Sequence, residues 1–239
     1  MPAGALQRAV ELLHRLGEEP VQPTVAELAG AAGMPTSTAY RLLAELEALG
    51  LVARGPDRTV TLGTRLVALG RTAEAGLHER LVAPATAVMR ELSQQVGESV
   101  ILTVPCGLEA IVVHAVETER HSVRLSYPRF RRAPMHQGAS GKVLAAYLEP
   151  AELSRLIQAS GRPKLAGQLE QIRSAGFAYT AGELDPGAAA VAAPILDRRG
   201  RILAGLSIAG PEQRIVADVG RAAGAVVQAA QRIQRTQHG

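Results

Sequence analysis

Residues 24–50, TVAELAGAAGMPTSTAYRLLAELEALG, are the stretch that decides the fold, because they predict two helices joined by a tight turn. Thr24 followed three residues later by Glu27 is a capping-box pattern, which marks a helix start. The turn at residues 33–35, Gly-Met-Pro, ends that helix. Apolar residues then recur at helical spacing from Thr36 to about Leu49, so a second, longer helix follows at once.

The segments on either side complete a larger pattern. Upstream, apolar residues at helical spacing predict a helix that ends at Gly17, and they are Leu6, Val10, Leu13 and Leu16. Downstream, the β-prone residues 51–54 and 59–62 flank the turn Gly55-Pro56-Asp57-Arg58, which predicts a hairpin. Three helices followed by a hairpin are the order of a winged helix-turn-helix.

The rest of the chain is predicted to form a linker helix and an α+β domain. Residues 64–96 are helical in pattern, with interruptions near Gly76 and Pro84. Beyond them, strands are expected at residues 99–105, 110–116, 122–126, 176–179, 188–196 and 202–209. Helices are expected at residues 139–148, 150–159, 167–175 and 212–235. Hairpins and long connections between strands favour a mixed or antiparallel sheet flanked by helices over a doubly wound parallel one.

The composition is typical of a two-domain protein of the cell interior. The chain has 239 residues, of which 47% are hydrophobic, enough for a substantial core in each domain. Cys106 is the only cysteine, which excludes a disulfide framework and favours a reducing cytosol. The N-terminus lacks the apolar region of a signal peptide, and no apolar run approaches the roughly 18 residues that span a bilayer. We therefore expect a cytoplasmic protein with no membrane partner.

Polar and basic side chains around the second helix of the quoted stretch are the candidates for DNA contact. A recognition helix places its N-terminal residues on base edges in the major groove. The candidates are Thr36, Ser37, Thr38, Tyr40 and Arg41, with Arg54 and Arg58 beside the hairpin turn. The three hydroxyl residues could instead only cap the helix. The formal net charge of the whole chain is +4. Residues 1–70 nevertheless have six arginines against seven acids, so any positive surface there must come from arginines clustered around this helix and the hairpin.

No residue pattern typical of an enzyme is present. Ser140, in Ala-Ser-Gly-Lys, fits neither Gly-x-Ser-x-Gly nor Ser-x-x-Lys, and the glycine-rich segment ending at Lys142 lacks the frame of a P-loop. The six histidines show no paired metal-binding spacing, although His114, His121 and His136 could converge in the fold. We predict that the protein is not an enzyme and has no catalytic residue, no metal and no cofactor.

Short motifs are spread along nearly the whole chain. They are residues 25–29 (VAELA), 33–43 (GMPTSTAYRLL), 62–63 (LG), 66–70 (LVALG), 97–100 (GESV), 134–136 (PMH), 141–146 (GKVLAA), 176–178 (GFA), Glu183, Gly187, 192–195 (AAPI) and 206–211 (LSIAGP). Each motif is weak alone, but in their order and spacing together they resemble the IclR family of bacterial transcriptional regulators.

The resemblance implies a division into three parts. These are a winged helix-turn-helix at residues 1–63, a dimerising linker helix at 64–77 and a GAF-like effector-binding domain at 78–239. It also implies binding of palindromic double-stranded operator DNA by a homodimer or a dimer of dimers, as repressor or activator. Carried over by position, the effector-binding residues are Leu125, Met135, Ala139, Ser140, Gly141, Ala190 and Ser207.

Small residues before Lys142 indicate the kind of effector. Residues 138–141, Gly-Ala-Ser-Gly, would let a ligand approach the backbone N–H groups at a helix N-terminus, which favour an anion. We therefore expect a small organic acid, or a similarly polar metabolite, with an apolar body. The glycines could alternatively serve only a tight packing turn. The basic loop at residues 127–132 could be solvated, or could attract an acidic effector or a neighbouring subunit.

Two other functions stay open at this point. One is an architectural or protein-interaction DNA binder with a vestigial pocket, and the other is a small-molecule enzyme fused to a winged helix. A gel-shift assay with and without candidate metabolites separates them, because only a ligand-responsive regulator changes its DNA affinity.

Overall fold

The computed structural model describes residues 4–18, 22–55 and 58–237. The chain divides into two compact units, Met1–Leu77 and His78–Gly239. The α+β fold class expected from the sequence is confirmed, with a helix-turn-helix in the first unit and a sheet flanked by helices in the second.

The first unit consists of helices and a two-stranded hairpin. Its elements are α1 (Ala5–Glu18), α2 (Val25–Ala31), α3 (Thr36–Ala48), β1 (Val52–Arg54), β2 (Val60–Leu62) and α4 (Arg65–Leu77). The apolar stripes of α1, α2 and α3 meet in one core, in which Leu12, Leu28 and Leu43 are almost fully buried. Gly17 lies inside α1 and does not end it, because the helix continues to Glu18. The predicted turn residues Pro56 and Asp57 lie outside the described residues.

A capping box starts α2, as the sequence predicts. The Glu27 N–H donates to Thr24 Oγ1 at 3.3 Å, and the Thr24 N–H donates to Glu27 Oε2 at 2.8 Å. Both bonds satisfy backbone donors that have no partner within the helix. The Thr24 N–H and the Thr24 hydroxyl both donate to the Glu27 carboxylate and lower its pKa. Thr24 pairs with Thr59 in an isolated β-bridge, so the same residue ties α2 to the hairpin.

Helix α3 begins at Thr36, as the sequence predicts, but none of its hydroxyl residues is the N-cap. Thr36 is the first helical residue and Pro35 occupies the N-cap, with no side-chain hydrogen bond to the helix end. The alternative in which Thr36, Ser37 and Thr38 only cap the helix is therefore wrong. A proline fits just before the helix because its φ is already near the value needed and it has no N–H to lose. The hydroxyl groups of α3 thus have no capping role.

The second unit is built on a six-stranded antiparallel sheet of order β5-β4-β3-β8-β7-β6. Of the two sheet types left open, the structure has the antiparallel one and not the mixed one. The strands are β3 (Ser99–Cys106), β4 (Glu109–Val116), β5 (Arg132–Pro134), β6 (Ala178–Ala181), β7 (Ala188–Leu196) and β8 (Ile202–Pro211).

Helices pack on this sheet in two groups. The helices are α5 (Ala83–Val96), α6 (Gly138–Ala146), α7 (Pro150–Ser160), α8 (Leu165–Ala175), α9 (Glu212–Val216) and α10 (Val219–Thr236). A π-helical turn, His78–Val82, precedes α5. Helix α6 packs against β6, β7 and β8, whereas α5 and α10 pack against each other and against the central strands. Because side chains alternate along a strand, Ala190 and Ala192 of β7 point toward α6.

Three expectations for this unit need correction. No strand forms at 122–126, where side-chain bonds such as Ser99 Oγ to the Leu125 carbonyl (2.7 Å) hold the segment instead of a backbone ladder. The sheet edge is instead Arg132–Pro134, which pairs with β4. The predicted helix 212–235 is two helices, because the Asp218 side chain caps a new start at Val219. Pro84 does not interrupt a helix, since it lies in the first turn of α5, where its missing N–H costs nothing.

The capping box leads to a stability prediction. Thr24→Ala should lower the free energy of unfolding by about 1 kcal/mol, because the Glu27 N–H loses its acceptor. Urea unfolding gives the loss, and amide hydrogen exchange in α2 assigns it to that helix. The matched control is Thr72→Ala, which removes a hydroxyl bonded to the Ala68 carbonyl on the exposed side of α4. The control should stay within about 0.5 kcal/mol of wild type, and equal effects of both changes would refute the capping role.

Candidate functional site

The first candidate surface is the exposed N-terminal face of α3. Thr36 and Ser37 are exposed and Thr38 is half-buried, so their hydroxyls lie at the surface of the helix start. Tyr40 is 41% exposed. The uncapped N-terminus adds the positive end of the helix dipole, which attracts phosphate groups. This end of α3 therefore offers neutral donors and a favourable potential to an anionic partner.

Arg41 and Arg54, which lie near this surface, each already bind a glutamate of α3. Arg41 donates to Glu45 at 3.0 Å, and Arg54 donates to Glu47 at 2.9 Å. Arg54 also lies over the ring of Tyr40, 5.8 Å from its centroid, so the structure brings these two predicted residues together. The side chains of the Arg41 pair are each 62% exposed. Exposed pairs of this kind contribute little, about 0–1 kcal/mol, so a phosphate can displace the glutamate at low cost.

Arg58, in the hairpin, has an unusual backbone conformation. Its φ is +60°, in the left-handed region that few non-glycine residues adopt. It is exposed, and Thr59, which follows it, is bridged to Thr24. Arg65 caps the C-terminal end of α3, where it donates to the Leu49 carbonyl at 3.0 Å. The sequence did not indicate this role.

The second candidate site is a cavity of about 60 Å³ in the second unit, between the sheet and the start of α6. The strand register explains its position. Ile101 of β3 lies opposite Ser207 of β8, and Ala190 of β7 lies opposite Ala209 of β8, so these four residues form its floor. Ser140 of α6 reaches the floor and donates a hydrogen bond to Ser207 Oγ at 2.9 Å.

Most of the effector-binding residues carried over by position lie around this cavity. Ala139, Ser140, Gly141, Ala190 and Ser207 all line it. The other two do not line it. Met135 is fully buried in the adjacent core. Leu125 packs against Ile101, Val112 and Ala209, which line the cavity, but does not line it itself.

The glycines at the start of α6 have a packing role. Gly138 has a φ of +70°, which disfavours any other residue. A Cβ at position 141 would lie 2.9 Å from the Met135 carbonyl oxygen, so the helix approaches that backbone closely. Gly138 and Gly141 are therefore required for a tight packing turn, as one of the two alternatives expected. Both residues also line the cavity.

Charged side chains surround the cavity mouth, and they are not among the effector-binding residues that the family resemblance implies. The Arg131 guanidinium donates to both carboxylate oxygens of Asp185, at 2.8 and 3.1 Å. The Tyr127 hydroxyl donates to Asp185 Oδ2 at 3.1 Å, and its ring lies under Arg131. The basic loop 127–132 was the signal for Arg131. The Arg131 side chain reaches the mouth because its backbone carbonyl accepts from the Val112 N–H of β4.

These contacts shift the ionisation of the residues involved. The hydrogen bond from Arg131 lowers the pKa of Asp185, so its carboxylate stays charged at neutral pH. Burial raises the pKa of Tyr127 to about 12, which keeps its phenol protonated and able to donate. The cavity mouth thus carries a full positive charge and a full negative charge side by side.

A second carboxylate occupies the helix end that was expected to face an anion. Glu183 accepts from the Gly138 N–H at 3.0 Å and from Lys142 Nζ at 2.5 Å. Lys142 is only 7% exposed, so burying its ammonium group is costly unless a carboxylate such as Glu183 pairs with it. The N-terminus of α6 therefore already binds an anion that belongs to the chain itself.

Other candidate chemistry receives no support from the described part of the chain. His114, His121 and His136 do not come together, and no group of three potential metal-binding side chains occurs among residues 4–18, 22–55 and 58–237. His238 lies outside the described residues. Cys106 is exposed at the end of β3. None of the helices described is both long and apolar enough to cross a bilayer.

Comparison with known proteins gives a consistent result. The chain matches the IclR helix-turn-helix domain over residues 5–56 and the bacterial transcriptional regulator IclR C-terminal domain over residues 77–235. It is 31% identical to the HTH-type transcriptional regulator KipR of Bacillus subtilis over 206 residues, covering 82% of this chain and 81% of KipR. It is 30% identical to the HTH-type transcriptional repressor AllR of Escherichia coli over 230 residues, covering 90% and 83%.

A solved structure supports the fold independently. The crystal structure of a candidate IclR transcriptional regulator from Silicibacter sp. TM1040 superimposes with a TM-score of 0.82. The two chains are 24% identical, and the match covers 99% of this chain and 97% of the other. At this identity the likeness speaks to the architecture and to nothing finer.

Proposed function

The chain belongs to the IclR family of bacterial transcriptional regulators, and from this premise we propose that it binds operator DNA through α3 and the hairpin and responds to a small molecule in the cavity beside α6. It is a transcriptional regulator with a helix-turn-helix DNA-binding domain. The observation that carries the proposal is the pairing of an uncapped, arginine-bearing helix in one unit with a partly polar cavity in the other. The division into residues 1–63, 64–77 and 78–239 and a cytoplasmic location are parts of the same proposal.

For DNA binding, the proposed contacts sort into base readers and phosphate binders. Tyr40 and Arg41 project from the exposed side of α3, where a recognition helix meets base edges. Thr36, Ser37 and Thr38 at the helix start offer hydroxyl donors to phosphates or base edges, and Arg54 and Arg58 would meet the backbone beside the groove.

Arg41 is the sharpest test of this surface. Arg41→Ala should weaken operator binding by about 1–3 kcal/mol and relax the preference at one position of each half-site, if Arg41 reads a base. If Arg41 binds a phosphate, affinity should fall evenly across sequences and its salt dependence should become shallower. Fluorescence anisotropy with the region upstream of the gene, at several salt concentrations, separates the two.

The control for this test is Arg15→Ala. Arg15 forms the same kind of exposed pair, with Glu11 at 2.8 Å, but on α1. Its removal should leave DNA affinity nearly unchanged. Equal affinities for wild type and Arg41→Ala, with the fold intact, would rule out α3 as the reading helix.

We further propose that α4 joins two copies of the chain, as a homodimer or within a dimer of dimers. No residue described in α4 is buried. Leu69 is 55% exposed and Leu62, just before the helix, is 43% exposed. The expected stripe continues through Leu66, which is half-buried, and Ala73, which is exposed. Apolar side chains spaced along one helix are stabilised by burial against an identical helix across a two-fold axis.

Leu69→Glu tests this interface. A carboxylate in a dimer seam should dissociate the protein to monomers at micromolar concentration and weaken operator binding, because two half-sites are no longer bound together. Light scattering gives the mass. Val123→Glu, at a position 71% exposed in the other unit, is the control and should remain dimeric. A wild-type protein that is itself monomeric at this concentration would contradict the proposal.

The second unit would bind the effector in the cavity beside α6. Ser140 and Ser207 supply hydroxyls, and Ala139, Gly141 and Ala190 supply small walls that leave space. The effector would be a small polar or acidic metabolite with an apolar body. Whether it releases or promotes DNA binding depends on which state of the protein it prefers.

Ser140→Leu tests the cavity. The larger side chain should fill it and abolish the thermal stabilisation that a bound metabolite gives, which is about 2.7 kcal/mol at a hundred times the dissociation constant. DNA binding without ligand should be largely unchanged. Ser154→Leu, the same change at an exposed site on α7, should keep the stabilisation. Equal effector binding by Ser140→Leu and wild type would place the ligand site elsewhere.

The same experiments address the alternatives. An architectural DNA binder with a vestigial pocket would bind operator through α3 yet show no stabilisation by any metabolite in a thermal-shift screen. The names of the relatives, a regulator and a repressor, refer to regulation and not to an enzymatic reaction. A fused small-molecule enzyme is accordingly the least favoured of the three functions.

A further inference from the structure

The cavity mouth contains one cation that a ligand could use. Arg131 is the only lysine or arginine among the described residues that line the cavity. Its guanidinium binds Asp185 in the structure. The sheet side of the cavity is largely apolar, with Ile101, Val112 and Ala209. A ligand with a charged head and an apolar body would thus place its head at Arg131 and its body over the sheet.

The two carboxylates near the cavity differ in how firmly they are held. Glu183 binds the buried Lys142 and the Gly138 N–H, and removing it would leave a buried ammonium without a partner, which is costly. The Arg131–Asp185 pair is about one-third exposed on both sides, so breaking it costs little. Asp185 is therefore the carboxylate that can be exchanged.

The backbone around Asp185 is suited to movement. The segment from Gly182 to Gly187 has no helix or strand, and both end glycines have positive φ, at +66° and +75°. Such glycines permit backbone changes that other residues resist. Loss of the contacts with Arg131 and Tyr127 would release the middle of this segment from the loop at residues 127–131.

Charge and size limit the ligand. An acid entering while Asp185 stays on Arg131 would add a third negative group beside Asp185 and Glu183 with no free cation nearby, which is unfavourable in a partly buried site. The cavity of about 60 Å³ limits the ligand to a small molecule.

We propose that the effector is a small monocarboxylic acid whose carboxylate replaces that of Asp185 on Arg131 and so releases the middle of the segment Gly182–Gly187, around Asp185, while Glu183 stays bound to Lys142. The inference rests on the proposed effector function of the cavity and adds the ligand class and the residue that competes with it. Asp185 thus competes with the ligand carboxylate for Arg131. Its displacement from Arg131 is the structural change that follows ligand binding.

The test uses two probes of equal size, butanoate and butanamide, with the full chain. Asp185→Asn removes the competing charge, so its dissociation constant for butanoate should fall about two- to fivefold, the factor expected for loss of an exposed ion pair. Arg131→Gln should weaken butanoate binding at least about tenfold, because the charge-assisted bonds are lost. Butanamide binding should change in neither variant. Calorimetry measures the six affinities, those of both probes for wild type and for each variant.

Glu109→Gln is the matched control. It breaks the neighbouring Arg132–Glu109 pair, which is similarly exposed but does not line the cavity, and should leave butanoate binding unchanged. Amide hydrogen exchange at residues 182–187 gives a second readout. It should become faster in wild type with butanoate, and in Asp185→Asn without ligand, but not in Glu109→Gln.

The outcomes distinguish this inference from the proposed function. If butanamide binds wild type as tightly as butanoate, or if Asp185→Asn leaves the butanoate affinity unchanged, the exchange is refuted while the cavity remains a ligand site. If neither probe binds wild type or Asp185→Asn, the exchange and the effector role of the cavity both fail. Tighter butanoate binding by Asp185→Asn alone supports the exchange.

Discussion

The ion pair between Lys142 and Glu183 is the interaction on which the second unit depends. Lys142 lies one turn into α6 and is nearly buried, so its ammonium needs a carboxylate, and Glu183 supplies it while also accepting from the first N–H of the helix. Removing Glu183 would leave the nearly buried ammonium of Lys142 without its carboxylate partner, which is destabilising. This pair therefore holds α6, the segment that carries Asp185, and the cavity between them in one arrangement.

Both candidate sites share a physical feature, namely that arginines suited to a ligand are already bound by carboxylates of the chain. Arg41, Arg54 and Arg131 each form an exposed or half-exposed pair. Exposed pairs of this kind contribute little to stability, so they orient the guanidinium without binding it tightly. Under the proposed function, a phosphate or a carboxylate would replace the chain's own carboxylate, and a DNA-binding unit without net positive charge would thereby offer cations locally.

Sequence reasoning succeeded where structure depends on near neighbours. The capping box at Thr24, the helices of the first unit and strand β7 follow from spacing within a few residues. It failed at 122–126, where alternating apolar residues imitate a strand but side-chain bonds replace the ladder, and at Met135, whose position in the motif does not show which way its side chain points. Arg131 could be anticipated from the basic loop, whereas nothing near Asp185 marked it as its partner.

The sequence by itself determined the family, the order of most elements, and the small residues that leave room beside α6. These features are local, since helical and strand periodicities, caps and turns involve residues at most a few positions apart. Only the tertiary structure decided which carboxylate meets which cation, because Arg131 and Asp185 are 54 residues apart and Lys142 and Glu183 are 41 apart. Such pairings depend on strand register and on how closely α6 approaches the sheet, and these are properties of the packed chain as a whole.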